Sequence, residues 1–126
     1  MSLSTNLLDA LSPKNRIFVA FSGGLDSTAL LFLCNKALKQ KKIRNLKAIH
    51  INHNLSKNSD NWQQHCESFC RSNNIKFESF IVEVSKNRSS IESQARQARY
   101  KIFESLLDEN DQILLAHHRD DVFETI

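Results

Sequence analysis

Apolar residues are distributed along the chain in two alternating patterns. Four short runs are mostly apolar, which is typical of strands buried in a sheet. Between these runs, apolar residues recur at steps of three and four, which predicts amphipathic helices. The predicted strands cover 17–21, 46–51, 77–82 and 112–116, and the predicted helices cover 27–42, 60–72 and 90–108.

The alternation of strands and helices predicts an α/β fold with a mostly parallel sheet and helices on both faces, giving three α/β/α layers. In such folds, ligands bind beyond the carboxyl ends of the strands, where the strand order reverses. The residues that follow each strand are therefore the first candidates for a functional site.

Both ends of the chain are also predicted to be helical. A short helix over 7–11 is closed by Pro13, the single proline. Residues 121–126 are predicted to start another helix, with acidic residues near its positive end. No helix stop signal follows, so we expect residues 1–126 to be one incomplete N-terminal domain.

Composition places the chain among ordinary globular domains. It has 126 residues, of which 40% are hydrophobic and 25% are charged. No apolar run approaches the ~20 residues that span a bilayer, and the first six residues lack the charged end and the apolar stretch of a signal peptide. We therefore expect a cytoplasmic protein with no membrane partner. The net charge of +3 permits a nucleic-acid partner without requiring one.

The three cysteines, Cys34, Cys66 and Cys70, suit a reducing compartment, because an odd small number makes a poor disulfide framework. Cys66 and Cys70 lie near His65, which raises the possibility of a zinc site. Structural zinc normally takes four ligands, and no second pair of suitable spacing follows. Buried thiols on a helix are the favoured interpretation.

The sharpest motif follows the first predicted strand and precedes the first predicted helix. It contains both glycines of the chain, which let the backbone turn sharply and approach a ligand closely. The start of the next helix points free amide groups and a positive dipole at this loop. The motif therefore predicts an anion site, with a simple tight turn as the alternative. It reads Ser22, Gly23, Gly24, Leu25, Asp26 and Ser27.

Two common phosphate loops do not fit this motif. A kinase-type loop needs Gly-Lys followed by Ser or Thr, and no lysine lies between Asn15 and Lys36. A dinucleotide fingerprint needs a third glycine. The motif instead resembles the PP-loop of N-type ATP pyrophosphatases, which implies ATP as the ligand and cleavage between its α and β phosphates. In that setting Asp26 is expected to face Mg²⁺.

Three further segments, 48–56, 90–100 and 116–125, occur in an order and spacing that resemble the tRNA(Ile)-lysidine synthetase family. The resemblance covers the chain from about residue 17 to its end. It implies an adenine nucleotide alpha hydrolase-like fold, with tRNA-binding domains downstream. It also implies an ATP-dependent ligase that adenylates the wobble cytidine of tRNA(Ile) with a CAU anticodon, and then joins free L-lysine to it.

The resemblance also implies roles for individual residues. The loop of residues 22–27 is expected to bind ATP, and main-chain groups around Ile49 to Asn52 are expected to read the edge of the adenine. Asn54 stands where the family usually has glycine, and asparagine tolerates a positive φ better than most residues. We therefore expect the turn at Asn54 to be kept.

Two arginines on the helix predicted over 90–108 are candidates for phosphate contacts. Arg99 lies roughly 60° from the centre of the apolar side of this helix, and Arg96 about 120°. At the margin of a buried face an unpaired guanidinium is costly, and a phosphate would resolve that cost. The alternative is an ion pair with Glu92 or Glu104 on a solvated flank. For Arg96 both interpretations stay open.

His117, Asp121 and Glu124 follow the fourth predicted strand. Asp121 and Glu124 are three residues apart, so both are expected on one side of the helix predicted there. The resemblance implies that this trio serves catalysis, by holding the ammonium of lysine, orienting Mg²⁺ or removing a proton. The alternative is an acidic helix start that only complements the dipole.

Other functions remain open at this point. A tRNA thiolase of the same superfamily would keep the loop but would need cysteines placed for sulfur or an iron–sulfur cluster. Asparagine, GMP and NAD synthetases share the loop, but the 116–125 segment does not resemble theirs. A nucleotide-binding module without activity is a further alternative. The oligomeric state is open, a homodimer included.

Overall fold

The computed structural model describes residues 16–54, 56–83, 91–109, 111–116 and 123–125. Within these ranges the chain forms five strands and three helices, which alternate as far as the fourth strand. In chain order they are β1 (Ile17–Ala20), α1 (Leu25–Lys39), β2 (Leu46–Asn52), α2 (Lys57–Ser72), β3 (Lys76–Ile81), α3 (Ile91–Leu106), β4 (Gln112–Ala116) and β5 (Phe123–Thr125).

The strands form one sheet in the order β3-β2-β1-β4-β5. The first four strands are parallel, with Val19 of β1 opposite Ala48 of β2 and Leu114 of β4. The chain moves outward from β1 to β3 and then crosses back to β4 on the other side of β1. The strand order therefore reverses between β1 and β4, which is where this architecture opens a ligand crevice.

The two faces of the sheet are covered by different helices. On one face, α1 and α2 pack against alternate residues of β1, so that Ile17 and Val19 are buried with Leu31 and Cys70. On the other face, Phe18 packs with Phe103 of α3. This alternation follows from the two-residue period of a strand. The predicted three-layer α/β/α fold is confirmed, and the four strands and three helices predicted between residues 17 and 116 agree with the structure to within a few residues at each end.

The helix predicted at the end of the chain is wrong over Phe123–Thr125, which form β5. This strand runs antiparallel to β4, with Leu115 opposite Glu124. Backbone pairing explains the difference, because the outer edge of β4 offers unpaired N–H and C=O groups and Phe and Thr favour strands. Glu124 therefore does not share a helix face with Asp121. The predicted helix over 7–11 lies outside the described residues, as do Asp121 and His117.

The loop between β2 and α2 is organised by the buried amide of Asn52. Its Nδ2 donates to Asp60 Oδ1 and Gln63 Oε1, both at 2.9 Å, and its Oδ1 accepts from the Asn54 amide at 2.8 Å. Asn54 adopts a φ of +54°, which confirms the conformation expected there. Asn52 thereby fixes where α2 begins relative to the carboxyl end of β2.

No helix among the described residues has both the length and the apolar composition needed to cross a bilayer.

Replacing Asn52 with alanine is expected to reduce the free energy of unfolding by about 2–4 kcal/mol, because three partners lose their hydrogen bonds in a buried setting. Urea denaturation of the 126-residue chain measures this. Asn58→Ala, on the exposed side of α2, is the matched control and should change stability by less than about 0.5 kcal/mol. Equal effects of the two substitutions would contradict the role given to Asn52.

Candidate functional site

A cleft of about 540 Å³ opens at the carboxyl ends of β1, β2 and β4. This volume lies within the ~300–1,000 Å³ typical of small-ligand sites. The cleft sits at the reversal of strand order, and α2 and α3 close its sides. Its lining comes from the loop after β1, the end of β2, helices α2 and α3, and the end of β4. It includes Ser22, Gly24, Leu25, Asp26, Ser27, Ile49, His50, Asn52, His53, Trp62, Arg99, Phe103, Leu115 and Ala116.

Two serine hydroxyls hold the loop between β1 and α1 in shape. Ser27 Oγ accepts hydrogen bonds from the amides of Ser22 and Gly23, both at 3.2 Å. Ser22 Oγ lies 2.9 Å from Ser27 Oγ and accepts from the Gly24 amide at 3.3 Å. The loop amides therefore point inward at hydroxyl oxygens, in an arrangement that suits the oxygens of an anion.

Helix α1 starts in this loop without a side-chain cap. Gly24 is its N-cap residue, with extended backbone and no side chain to accept from the first-turn amides. An uncapped helix start exposes up to four N–H donors and the positive end of the helix dipole. Since Gly24, Asp26 and Ser27 line the cleft, this end of α1 favours a negatively charged ligand there.

The two glycines of the loop have different reasons to lack a side chain. Gly23 has a φ of +87°, and a Cβ there would lie 2.6 Å from Cys66 Sγ and 2.9 Å from Trp62. A Cβ on Gly24 would meet only Ser22 Oγ, at 3.5 Å. Packing within the protein therefore requires glycine at position 23. At position 24 the protein leaves space for a methyl group, and only a ligand would need that space.

Arg99 enters the cleft from α3, one helical turn before the buried Phe103. Its Nε is buried and has no hydrogen-bond partner among the described residues. No described carboxylate, that of Glu104 included, forms an ion pair with it. A buried Nε–H group without an acceptor is costly, and a bidentate oxyanion is the acceptor that the geometry of a guanidinium fits best.

Two histidines from the end of β2 face the same space. His50 is buried and donates from Nδ1 to the Phe21 carbonyl at 2.9 Å. His53 Nδ1 is buried without a partner among the described residues. Burial lowers the pKa of both rings, and the positive charge of Arg99 lowers that of His53 further. Both histidines are therefore neutral at pH 7, so Arg99 supplies the positive charge of this wall.

The structure brings together most of the site residues predicted from the sequence. Those that line the cleft are Ser22, Gly24, Leu25, Asp26, Ser27, Ile49 and Arg99. Gly23 lies on the side of the loop that packs against α2. Arg96 is exposed outside the lining, with its guanidinium carbon 5.0 Å from the centre of the Tyr100 ring. Its neighbour Arg99 is the arginine that the fold directs into the cleft.

The prediction for the end of β2 concerned the main chain from Ile49 to Asn52, and it gave no role to four side chains that also line the cleft, those of His50, Asn52, His53 and Trp62. The first three lie at the carboxyl end of β2, the position that marks ligand contacts in this architecture, so strand placement alone was a usable signal. The position of Trp62 matches the apolar spacing of the helix predicted over 60–72, which is typical of a core residue. It is instead 45% exposed and donates from Nε1 to the Ser22 carbonyl at 2.6 Å.

All three cysteines are buried in the core between the sheet and helices α1 and α2, which confirms the interpretation as buried thiols. Burial raises the pKa of Cys66 to about 11 and those of Cys34 and Cys70 to about 12. Thiolate is the form that binds metals and attacks electrophiles. These thiols therefore do not suit cluster ligation or sulfur transfer.

The contrast between the two glycines yields a paired prediction. Gly23→Ala should destabilise the fold by about 2 kcal/mol or more, because of the positive φ and the close approach of α2. Gly24→Ala should keep the free energy of unfolding within about 1 kcal/mol and yet weaken ATP binding at least roughly tenfold, since a methyl group then occupies ligand space. Urea denaturation and titration calorimetry measure the two quantities. Full ATP affinity in Gly24→Ala would contradict a ligand at this loop.

The thiols are expected to resist modification in the native state. At pH 8 a disulfide reagent such as dithionitrobenzoate should react with none of the three within minutes, and with all three after unfolding in urea. Because burial raises each folded pKa above the unfolded value, the stability that the neutral thiols contribute is complete below about pH 9 and is lost as pH rises towards 11–12. Rapid native labelling of Cys66 or Cys70 would support the thiolase alternative instead.

Comparison with known proteins agrees with the geometry. A family model described as a PP-loop domain matches residues 2–126. The tRNA(Ile)-lysidine synthase of Legionella pneumophila strain Lens is 43% identical over 124 residues, covering 98% of this chain and 28% of that protein. The enzyme of the same name from Pseudomonas syringae pv. tomato is 42% identical over 127 residues, with the same coverage. The chain thus spans little more than a quarter of these relatives.

A solved structure shares the fold. The U34-tRNA thiolase NcsA from Methanococcus maripaludis, with its [4Fe-4S] cluster, superposes with a TM-score of 0.72 at 26% identity, over 95% of this chain and 45% of that one. Because the family model covers nearly all of the sequence, and the loop it is named for forms the floor of the cleft, the chain belongs to the PP-loop domain family, and the use of ATP follows from that membership.

Proposed function

We propose that this chain is the ATP-binding domain of a tRNA-modifying ligase that makes lysidine. In the proposed reaction, the C2 oxygen of the wobble cytidine of tRNA(Ile) attacks the α phosphorus of ATP, and pyrophosphate leaves. The amine of free L-lysine then attacks C2, AMP leaves with the oxygen, and the amine loses a proton. The names of the relatives from Legionella pneumophila and Pseudomonas syringae support this acceptor.

The observation that carries the proposal is the convergence of two anion-seeking features in one cleft. The uncapped start of α1, with Gly24 open beside it, lies on the β1 side. The buried Nε of Arg99, to which no described residue offers an acceptor, lies on the α3 side. A triphosphate between them would give each feature the acceptor that it lacks. This supports phosphate binding by the loop of residues 22–27 with Arg99 as the opposing cation.

The adenine is proposed to lie at the end of β2. β1 pairs with β2 only as far as Ile49, whereas β2 continues to Asn52. Beyond Ile49 the edge of β2 that faces β1 therefore has no strand partner from β1. Peptide groups on this edge are suited to read the edge of a base, and Ile49 with Ile51 supplies an apolar wall.

Asp26 is proposed as the protein ligand of Mg²⁺. Its carboxylate is of the oxygen type that Mg²⁺ prefers, and it lines the cleft beside the phosphate loop. Among the described residues no group of three or more metal-binding side chains exists. One carboxylate fits Mg²⁺ that arrives with ATP, because such an ion keeps phosphate oxygens and water as its other ligands.

His117, Asp121 and Glu124 are proposed to serve the incoming lysine. Ala116, the last described residue of β4, lines the cleft, so the chain enters this segment at the site. Glu124 pairs opposite Leu115, which also lines the cleft. Carboxylates here would favour the lysine ammonium, and one basic group would take its proton before attack.

A tRNA thiolase is the second candidate, and the likeness to the archaeal U34-tRNA thiolase favours it. A thiolase also uses ATP. It differs in the group that attacks the activated base, which comes from a sulfur donor and not from lysine. The burial and raised pKa values of the three cysteines disfavour it within this chain. Lysine dependence separates the two. Release of AMP that needs L-lysine and an isoleucine tRNA supports the ligase, whereas release of AMP that needs a sulfur donor supports the thiolase.

Arg99→Gln should weaken ATP binding by roughly tenfold to a hundredfold, the usual cost of losing a charge-assisted contact to phosphate. Arg96→Gln is the matched control, because it removes the same charge from the same helix outside the cleft lining. Titration calorimetry with ATP and Mg²⁺ measures both, and thermal melting shows whether the fold persists. The proposal fails if both variants bind ATP like the parent chain, or if Arg99→Gln mainly lowers the melting temperature.

The reaction itself needs the protein that contains this domain together with its downstream tRNA-binding regions. With ATP, L-lysine and an isoleucine tRNA transcript, labelled lysine should enter the tRNA in proportion to the AMP released. The substrates of asparagine synthetase, GMP synthetase or NAD synthetase, added in place of lysine and tRNA, should give no AMP. Release of AMP without lysine, or release of AMP without tRNA, would contradict the assignment.

A further inference from the structure

Helix α2 holds the phosphate loop through a single backbone oxygen. The indole Nε1 of Trp62 donates to the carbonyl of Ser22 at 2.6 Å, and the thiol of Cys66 approaches the same oxygen at 3.7 Å. The flat ring of Trp62 also lies against Gly23, where its nearest carbons are 2.9 and 3.0 Å from the position of a Cβ. One side chain thus fixes the loop by both a hydrogen bond and a packing surface.

The Ser22 carbonyl belongs to the same planar peptide group as the Gly23 amide. In a trans peptide the C=O and N–H bonds point in opposite directions. With the carbonyl fixed towards α2, the Gly23 N–H must point away from α2. The structure shows this, since Gly23 N donates to Ser27 Oγ at 3.2 Å on the inner side of the loop.

We propose that Trp62 is a positioning residue for the phosphate site, which sets the direction of the Gly23 amide by fixing the Ser22 carbonyl. Glycine at position 23 leaves this peptide free to rotate, because a residue without Cβ populates both signs of φ. The loop therefore needs a restraint from outside, and the indole provides it. The effect on nucleotide affinity rests on the proposed function, whereas the effect on the peptide does not.

The restraint is itself anchored. α2 is tied to the end of β2 by the bonds from Asn52 to Asp60 and Gln63, which lie two residues before and one residue after Trp62. The outer face of the indole stacks on His65, with ring centres 4.8 Å apart and planes 22° apart. His65 is exposed and touches the ring without touching the loop bond, which makes it a suitable control position.

The composition of the chain allows a direct test. Its only glycines are Gly23 and Gly24, so a sample labelled with ¹⁵N-glycine gives two backbone resonances, both from the loop. The test compares the parent chain, Trp62→Phe, which keeps an aromatic ring but loses the N–H donor, and His65→Ala, which removes the stacking partner. Each is measured for its glycine spectrum, its melting temperature and its affinity for ATP with Mg²⁺.

Trp62→Phe should move the Gly23 resonance more than that of Gly24 and weaken ATP binding roughly fivefold to tenfold, the effect of one hydrogen bond. His65→Ala should leave the Gly23 resonance and the affinity unchanged, with both variants melting near the parent. An unmoved Gly23 resonance in Trp62→Phe, unchanged ATP affinity, or equal effects of the two substitutions would each overturn the inference. If the parent chain binds no ATP, the proposed function fails, and the glycine spectrum still decides whether Trp62 orients this peptide.

Discussion

At Gly23 the chain leaves β1 with a φ of +87° and passes against Trp62 and Cys66 of α2. After this turn the backbone enters α1 directly. The first residues of the helix therefore lie at the carboxyl ends of the strands, where they line the cleft. Two serine hydroxyls and the Trp62 indole then fix the turn from both sides. The position of the cleft, the direction of the loop amides and the space beside Gly24 all follow from this arrangement.

The electrostatics of the cleft depend on few groups. The two histidines of β2 are kept neutral by burial and by the nearby guanidinium, and the loop contains no lysine. Attraction for an anion therefore comes from backbone amides, the dipole of α1 and Arg99. Amides bind a diphosphate by geometry and carry no net charge after it leaves, which suits the proposed reaction, in which pyrophosphate departs. A P-loop, by contrast, places a lysine on the terminal phosphates.

The spacing of apolar residues along the chain was sufficient to predict the three α/β/α layers, the ends of the first four strands and the loop between β1 and α1. The run at β1 and the two glycines after it left few alternatives, and the helical phase of α3 separated Arg99 from Arg96 by about 60°. The spacing of apolar residues failed to predict the structure where contacts between distant parts of the chain determine it. Trp62 has the spacing of a core residue, and only the packing of α2 on the loop shows its indole bonded to Ser22. Residues 123–125 have acidic neighbours suited to a helix start, but the open edge of β4 pairs them as a strand.

The central claim is that the triphosphate of ATP lies in the loop of residues 22–27 at the end of β1. A crystal structure with Mg²⁺ and an ATP analogue that cannot be cleaved between its α and β phosphorus atoms tests it directly. We expect β and γ phosphate oxygens within hydrogen-bond distance of the Gly24 amide and the first-turn amides of α1, with Arg99 on the opposite side and the adenine against Ile49. A triphosphate bound elsewhere, with this loop unchanged and Arg99 still unpartnered, would contradict it.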